Sequence, residues 1–337
     1  MVASAQHLNK EIADAILLAT ANPFVGLFIG LLITAILQSS STTTALVVAF
    51  VVSGSLTLQS AVPIIMGANV GTTITCMVVS LGFINRKKEF KRAVSAGSLH
   101  VFFNILTVII LFPLEYYYGF LSSLSSRITS YFFEPSKTPA MQTTQDGWLD
   151  SFVRTLLEIA PSPFIISGFA LILLFASILL FRKLISDLLK ASSPEAFSRF
   201  FFFSPWKSFS WGLLTTAAIR SSTITTSVVV PIVAKKIATL KQAAPFVMGA
   251  NVGTTITAFI AAAMHGHTLG AVSIALSHFL FNFIGVLLFM PVPALRSFLL
   301  NVSMWLGQLT IRYRFAGFAF LLVVFFLIPF VLIYLNR

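Results

Sequence analysis

Long runs of apolar residues recur along this chain of 337 residues, and few charges interrupt them. Four of the runs are long enough to cross about 30 Å of bilayer hydrocarbon as single helices. They cover residues 94–113, 162–182, 269–290 and 315–336. Charged residues make up 9% of the chain, whereas a soluble domain carries about 25% because its surface must be solvated. The pattern predicts an all-α integral membrane protein.

Two further apolar stretches, residues 23–54 and about 208–234, are interrupted halfway by hydroxyl residues. The first has 32 residues, which is more than the roughly 20 that one span requires. We therefore predict that each stretch folds back as a re-entrant hairpin with its tip at the hydroxyl cluster. The stretches that follow, residues 61–83 and 243–263, contain the string Gly-Ala-Asn-Val-Gly-Thr-Thr. Glycines and hydroxyls weaken a helix in hydrocarbon, so we predict two discontinuous helices.

The two regions that contain a predicted hairpin and a predicted broken helix are copies of each other. Gly30–Cys76 aligns with Gly212–Ala258 without gaps and at a constant offset, with roughly half of the positions identical. The string Gly67–Thr75 recurs unchanged as Gly249–Thr257. Two polar pairs downstream also correspond, namely His100 with Asn104 and His278 with Asn282. The chain therefore contains a duplicated unit.

The basic residues indicate how the two copies are oriented. The loop after the first broken helix carries five Lys and Arg residues between positions 86 and 92, whereas the equivalent loop near His265 has none. The loops after the hairpins reverse this pattern, because residues 56–60 are uncharged and three lysines lie between positions 235 and 241. The positive-inside rule then predicts inverted repeats. We attribute the net charge of +12 to such topology signals and to lipid headgroup contacts rather than to nucleic acid.

The pattern divides the chain into five segments. They are an N-terminal interfacial segment (1–22), inverted repeat 1 (23–113), a connection with a loop, a transmembrane helix and a basic linker (114–207), inverted repeat 2 (208–290) and C-terminal helices (291–337).

Inverted repeats with interrupted helices place polar groups near the bilayer midplane, where helix N-termini present N–H groups to anions and C-termini present carbonyls to cations. Serine and threonine hydroxyls at the two tips can donate to the oxygens of an oxyanion such as phosphate. The candidate substrate-binding residues are Gln38, Ser39, Ser40, Ser41, Asn69, Arg220, Ser221, Ser222, Thr223 and Asn251. Hard cations prefer oxygen ligands. The candidate sodium ligands are Thr43, Thr72, Thr73, Thr225, Thr254 and Thr255.

Each motif also has a structural interpretation. Membrane Ser and Thr often bond to their own helix, and glycines often serve close packing. We interpret the His-Asn pairs as polar clamps on an adjacent helix. A central arginine costs about 2.5–3.5 kcal/mol and needs compensation. None of the ten acidic residues lies in residues 23–83 or 208–264, so either a bound phosphate pairs with Arg220 or its side chain reaches an aqueous vestibule.

Inverted repeats with interrupted helices are typical of secondary transporters. The absence of carboxylates from both repeats favours sodium over protons as the ion that drives transport, because an intramembrane carboxylate is the usual proton relay. His100 and His278 keep proton-coupled phosphate transport open. Enzyme activity is not expected, since the chain has no Gly-x-Ser-x-Gly elbow and no metal-ligand cluster. No cofactor is expected besides sodium as the coupling ion.

The motifs resemble those of the type II sodium-phosphate cotransporter family, which has a Gln-Ser-Ser-Ser-Thr string in each repeat and a downstream Gly-Ala-Asn-(Val/Ile)-Gly-Thr string. Gln38–Thr44, Gly67–Thr73 and Gly249–Thr255 match this pattern. The resemblance implies sodium-driven phosphate transport with both hairpin tips in the site, in a plasma membrane such as a bacterial inner membrane. Arg220 stands where the family pattern has glutamine. A carrier or exporter of another oxyanion is therefore the alternative.

Overall fold

The computed structural model describes residues 22–132, 194–264 and 268–336, and within these ranges all regular secondary structure is helical. The predicted span at residues 162–182 and the predicted interfacial segment, apart from its last residue, lie outside the described ranges. An all-α fold is thus confirmed for the part of the chain that is described.

The first copy and the helix after it comprise α1 (Pro23–Leu37), α2 (Ser40–Val52), α3 (Leu58–Gly71), α4 (Ile74–Leu81), α5 (Lys87–Tyr118) and α6 (Phe120–Phe132). The second copy, preceded by α7 (Pro194–Phe202), comprises α8 (Pro205–Ile219), α9 (Ser222–Ala234), α10 (Leu240–Met264) and α11 (Leu269–Phe289). The C-terminal helices are α12 (Pro293–Arg312), α13 (Ala316–Leu322) and α14 (Ile328–Leu335), the last two joined by a π-helical segment (Val323–Leu327).

Five helical segments among the described residues are long and apolar enough to cross a membrane: Leu58–Leu81, Lys87–Tyr118, Leu240–Ala263, Leu269–Phe289 and Ala316–Leu335. These include three of the four predicted spans. Helix α5 runs past the predicted boundary at residue 113, and residues 120–132 form α6, so this part of the predicted connection is helical.

The helices before and after the hydroxyl clusters are short and match in length between the copies. Helices α1 and α8 have 15 residues each, and α2 and α9 have 13 each. At 1.5 Å per residue, 15 residues extend about 22 Å, which is less than the hydrocarbon thickness. Asn22 and Ser204 cap α1 and α8 at corresponding positions, and proline follows each cap, as is typical of helix starts.

The predicted helix break of the first copy is confirmed as a short interruption at Thr72 and Thr73, between α3 and α4. The N–H of Thr73 donates to the carbonyl oxygen of Val70 at 3.0 Å, a tighter bond than the α-helical i−4 pattern. The backbone therefore deviates from α geometry for about half a turn while keeping its hydrogen bonds.

The predicted break of the second copy is wrong, because α10 is continuous over 25 residues. Its glycines pack closely against α8, as their counterparts in the first copy pack against α1: a Cβ at Gly253 would collide with the backbone of Leu213. The hydroxyl of Thr255 donates to the carbonyl oxygen of Val252 at 2.7 Å. Nothing in the described residues explains why the same nine residues break the helix only in the first copy.

Glycines bring the helices of each copy into the same close contact. A Cβ at Gly67 would collide with the carbonyl oxygen of Leu27 on α1, and a Cβ at Gly249 would collide with that of Phe209 on α8. Leu27 and Phe209 occupy corresponding positions. Both copies therefore use glycine for the same backbone approach between α1 and α3 and between α8 and α10.

The two copies exchange partners across the molecule. Helix α2 packs against α10 and α11 of the second copy, and α9 packs against α4 and α5 of the first. One buried apolar cluster accordingly contains Val47 and Val48 of α2 together with Ala258 and Ala275. The core is thus shared between the copies, and neither buries its apolar residues alone.

Polar contacts fix the end of α9 beside the start of α5. Lys235 Nζ lies 3.1 Å from the carboxylate of Glu89, and Arg92 Nε donates to the carbonyl oxygen of Ala234 at 2.7 Å. The end of α2 instead lies beside the start of α11, where a Cβ added at Gly270 would lie 2.9 Å from Val51 Cγ1. One junction is charged and the other is apolar.

Candidate substrate and ion site

Each copy has a tight turn between two short helices, which we call turn 1 (Gln38 and Ser39) and turn 2 (Arg220 and Ser221). Gln38 has φ +53° and Arg220 has φ +57°, in the left-handed region that non-glycine residues seldom adopt. Each N–H donates at 2.7 Å to the last turn of the preceding helix, to the carbonyl oxygens of Thr34 and Thr216. The two turns have the same backbone conformation although Gln and Arg differ in charge.

A serine at each turn caps the helix that follows. Ser39 Oγ accepts from the N–H of Thr42 at 3.3 Å, and Ser221 Oγ accepts from the N–H of Ile224 at 3.3 Å. Such a cap leaves the N–H groups of the two intervening residues outside the helical hydrogen-bond pattern, at the positive end of the helix dipole. These residues are Ser40 and Ser41 in turn 1, and Ser222 and Thr223 in turn 2.

Most of the predicted substrate residues at the turns are at least partly enclosed. Ser40 and Ser222 are buried, with 5% and 3% of their surface exposed. Gln38 is half-buried, whereas Arg220 is exposed. The Arg220 side chain at turn 2 is therefore more exposed to solvent than the Gln38 side chain at turn 1.

Further contacts distinguish the turns. Thr34 Oγ1 donates to Thr43 Oγ1 at 2.8 Å and joins α1 to α2 behind turn 1. The corresponding Thr216 hydroxyl is buried and has no hydrogen-bond partner within the described ranges. Turn 1 is therefore held by a side-chain bond that turn 2 lacks.

A second difference concerns the contact of each turn with the other copy. Ser41 Oγ donates to Thr257 Oγ1 on α10 at 3.2 Å. The corresponding pair is Thr223 with Thr75, and the buried Thr75 hydroxyl has no hydrogen-bond partner in the part of the chain that the structure describes. Among the described residues, only turn 1 has such a hydroxyl bond to the opposite copy.

The asparagine in each copy of the repeated nine-residue string is held by residues from the opposite copy. In what we call clamp 1, Asn251 Oδ1 accepts from His100 Nε2 at 3.1 Å and from Asn104 Nδ2 at 3.4 Å. In clamp 2, Asn69 Oδ1 accepts from His278 Nε2 at 3.1 Å and from Asn282 Nδ2 at 3.0 Å. The structure agrees with the interpretation of the His-Asn pairs as clamps on an adjacent helix.

The clamps occupy the side-chain amides of the two asparagines predicted to bind substrate. The Nδ2 groups of Asn69 and Asn251 donate to the carbonyl oxygens of Ile65 and Val247, at 2.8 and 2.9 Å. Both asparagines are buried. In this structure their side chains hold α3 and α10 in place.

The predicted sodium ligands are all buried threonines. Thr43 and Thr225 donate to the carbonyl oxygens of Ser39 and Ser221, at 3.2 and 3.0 Å, which places their hydroxyls beside the turns. The hydroxyls of Thr73, Thr254 and Thr255 bond to carbonyl oxygens of their own helices. Thr72 Oγ1 has no hydrogen-bond partner among the described residues. A donating hydroxyl keeps lone pairs on its oxygen, although Thr43 Oγ1 already accepts a hydrogen bond from Thr34 Oγ1.

Several polar residues near the turns were missed in the sequence interpretation. They are Thr34, Thr44, Thr75, Thr216, Thr226 and Thr257, with Cys76 between Thr226 and His100. The threonines recur at matched positions in both copies, and this regularity is the signal that could have identified them.

Comparison with known proteins places these motifs in a family. The chain matches the family described as Na+/Pi-cotransporter over residues 1–123 and 164–321. It is 29% identical to sodium-dependent phosphate transport protein 2A of Mus musculus, over 92% of this chain and 60% of the relative. It is 28% identical to sodium-dependent phosphate transport protein 2B of Homo sapiens, over 92% of this chain and 58% of the relative. No solved structure matches the chain.

The chain spans about 60% of the length of these relatives. Their transport activities are those stated in their names. The family match itself covers most of the present chain, including both turns and both clamps. The resemblance seen in the motifs is thereby confirmed, and the chain belongs to the Na+/Pi-cotransporter family.

Proposed function

We propose that this protein is a secondary active transporter that moves inorganic phosphate across a membrane, coupled to sodium. It acts as a carrier rather than as an enzyme, and membrane lipid surrounds its multi-pass helices. A plasma membrane, in particular a bacterial inner membrane, is the proposed location. The observation that carries this proposal is the pair of matched serine-capped turns, each of which starts a helix with open N–H groups.

The chemistry of the turns suits an oxyanion. A helix N-terminus combines N–H donors with a partial positive charge, and the serine hydroxyls add donors at the same place. In this proposal Ser40, Ser41, Ser222 and Thr223 bind the phosphate oxygens. Arg220 contributes the charge that a dianion requires, through a guanidinium contact.

The proposal includes re-entrant hairpins and an inverted arrangement of the copies. The shortness of α1, α2, α8 and α9 supports hairpins, because none reaches the length of a span. The contact between Lys235 and Glu89 supports inversion. The segment Leu58–Leu81, which is long enough to span the membrane, lies between the end of α2 and the start of α5. Helix α9 ends beside the start of α5. In this proposal α2 and α9 therefore end on opposite sides of the membrane.

Sodium coupling draws support from the threonine oxygens around the turns. Six buried threonine hydroxyls, those of Thr43, Thr72, Thr73, Thr225, Thr254 and Thr255, provide neutral oxygen ligands. Oxygen ligands are what a hard cation prefers. We propose that sodium binds among them and that the positive charge of the bound ion favours phosphate binding at the turns.

Uptake of labelled phosphate into proteoliposomes tests the proposal. We expect uptake to require a sodium gradient and to fall at least about tenfold in Ser40→Ala with Ser222→Ala, because a hydrogen bond to a charged group contributes about 1.5–3 kcal/mol. Ser53→Ala and Ser210→Ala, exposed serines outside the turns, serve as matched controls and should retain uptake. Equal uptake without a sodium gradient would reject the coupling, and normal uptake by the double variant would reject the turns as the site.

The exposed Arg220 favours a second candidate, a carrier or exporter of another oxyanion. Competition of phosphate uptake by sulfate or arsenate separates the candidates. Phosphate selectivity requires that sulfate at equal concentration leaves uptake unchanged. Inhibition by sulfate as strong as that by unlabelled phosphate would favour a broader oxyanion carrier.

A further inference from the structure

The two clamps differ at one position. In clamp 1, Cys76 Sγ lies 3.5 Å from His100 Nδ1 and 3.2 Å from Thr226 Oγ1. The amide oxygen of Asn251 can only accept, so His100 Nε2 donates to it, and Nδ1 of the neutral ring is an acceptor. The thiol donates to the threonine hydroxyl on α9, and its sulfur lies against the histidine nitrogen on α5.

In clamp 2, Ala258 stands at the position that corresponds to Cys76. The atoms corresponding to His100 Nδ1 and Thr226 Oγ1 are His278 Nδ1 and Thr44 Oγ1. Each belongs to a residue that is 1% exposed, and neither has a hydrogen-bond partner among the described residues. The two polar atoms that the thiol contacts in one clamp thus have no partner among the described residues in the other.

The packing brings the three elements concerned together. Helix α2, which carries Thr44, packs against both α10 and α11, and α10 packs against α11. Ala258 on α10 and Ala275 on α11, three residues before His278, belong to the same buried cluster as Val47 on α2. Ala258 therefore packs in an apolar cluster, and Thr44 and His278 each lie one helical turn from a member of that cluster.

We propose that one water molecule binds beside Ala258, between Thr44 Oγ1 and His278 Nδ1. Replacing a thiol by hydrogen removes one sulfur atom from this part of the core, and a buried water requires both such space and polar partners. Water can donate to the ring nitrogen and accept from the threonine hydroxyl at once. Helix α2 is then linked to clamp 2 through an exchangeable water, whereas α9 is linked to clamp 1 through a fixed thiol.

Exchanging the two side chains tests this site independently of what the protein transports. Ala258→Cys should displace the water and raise the Tm in detergent, at fixed sodium and phosphate, by roughly 2 °C. Cys76→Ala makes clamp 1 resemble clamp 2, with a water in place of the thiol, and should lower the Tm by a similar amount. The exchange variant, Cys76→Ala with Ala258→Cys, should return close to the wild-type Tm, because one thiol and one water are again present.

The wild type provides a readout that does not depend on any variant folding. Water density between the two atoms in a high-resolution structure, and a 15N shift of His278 Nδ1 typical of a hydrogen-bonded acceptor, are the expected results. Absence of that density overturns the proposal, as does an Ala258→Cys variant that loses as much stability as Cys76→Ala. A sodium-dependent rise in Tm that Ala258→Cys abolishes would identify a cation instead and would also overturn it.

Discussion

Gln38 and Arg220 occupy the same turn conformation with different side chains, a neutral amide and a charged guanidinium. Both residues have positive φ and the same backbone bond to the preceding helix, so the turn does not depend on which side chain it carries. The side chains differ in charge and in exposure. Arg220 can therefore change substrate binding without changing the turn.

This separation predicts the effect of Arg220→Gln. We expect the KM for phosphate uptake to rise at least about tenfold, because a charge-assisted contact of about 1.5–3 kcal/mol is lost. The Tm should stay near that of the wild type, since glutamine already occupies the equivalent position in turn 1. Arg199→Gln, another exposed arginine but outside the turns, is the control. An unchanged KM would mean that Arg220 does not contact the substrate.

The clamp residues predict energetic coupling between the copies. Asn69→Ala and His278→Ala remove two ends of one bond, so a double-mutant cycle measured by unfolding should give a coupling of about 0.5–3 kcal/mol. Asn69 and His100 belong to different clamps and share no hydrogen-bond partner among the described residues. Their cycle should be additive within about 0.5 kcal/mol. Equal coupling in both cycles would contradict the pairing.

At the scale of elements, the helices of each copy are held close by glycine. Gly249→Ala should destabilise the protein by about 1–3 kcal/mol, because the new methyl group collides with the backbone of α8 and the helices must separate. Gly317→Ala is the matched control, since a Cβ there would meet its nearest neighbours at 3.4 Å or more. Similar unfolding midpoints for the two variants would show that the close packing of α8 and α10 is not needed.

The turns also differ as elements. Ser41 on α2 bonds to Thr257, whereas the corresponding Thr223 and Thr75 are not bonded to each other. We expect Ser41→Cys with Thr257→Cys to crosslink on mild oxidation, because the Ser41 and Thr257 hydroxyl oxygens lie 3.2 Å apart and the two side chains therefore meet. Thr75→Cys with Thr223→Cys should crosslink more slowly. The wild type, whose single cysteine is buried, controls for other products. Equal rates for the two pairs would contradict the asymmetry.

For the whole molecule, the proposed inversion predicts opposite sidedness for equivalent loops. Ser55 follows α2 and Lys236 follows α9, and both residues are exposed. A membrane-impermeant thiol reagent should label Ser55→Cys and Lys236→Cys from opposite sides of oriented vesicles. The buried Cys76 of the wild type should give little background. Labelling of both variants from one side would show that the copies are parallel.

The sequence by itself determined the membrane class, the duplication and the position of both turns. Long apolar runs cannot be solvated, and hydroxyl clusters that interrupt them at matched positions leave few other places for the chain to turn. The caps at Ser39 and Ser221 are local, because each side chain bonds to an amide three residues away. Local signals of this kind can be found without knowing what packs against them.

Only the tertiary structure decided whether the identical strings break their helices and what their asparagines bind. The string Gly67–Thr75 is interrupted, and Gly249–Thr257 is not, although their residues are the same. The partners of Asn69 and Asn251 lie in the opposite copies, more than a hundred residues away along the chain. Helix continuity and buried polar pairing depend on neighbours brought by folding, and such neighbours are not encoded in any local spacing of residues.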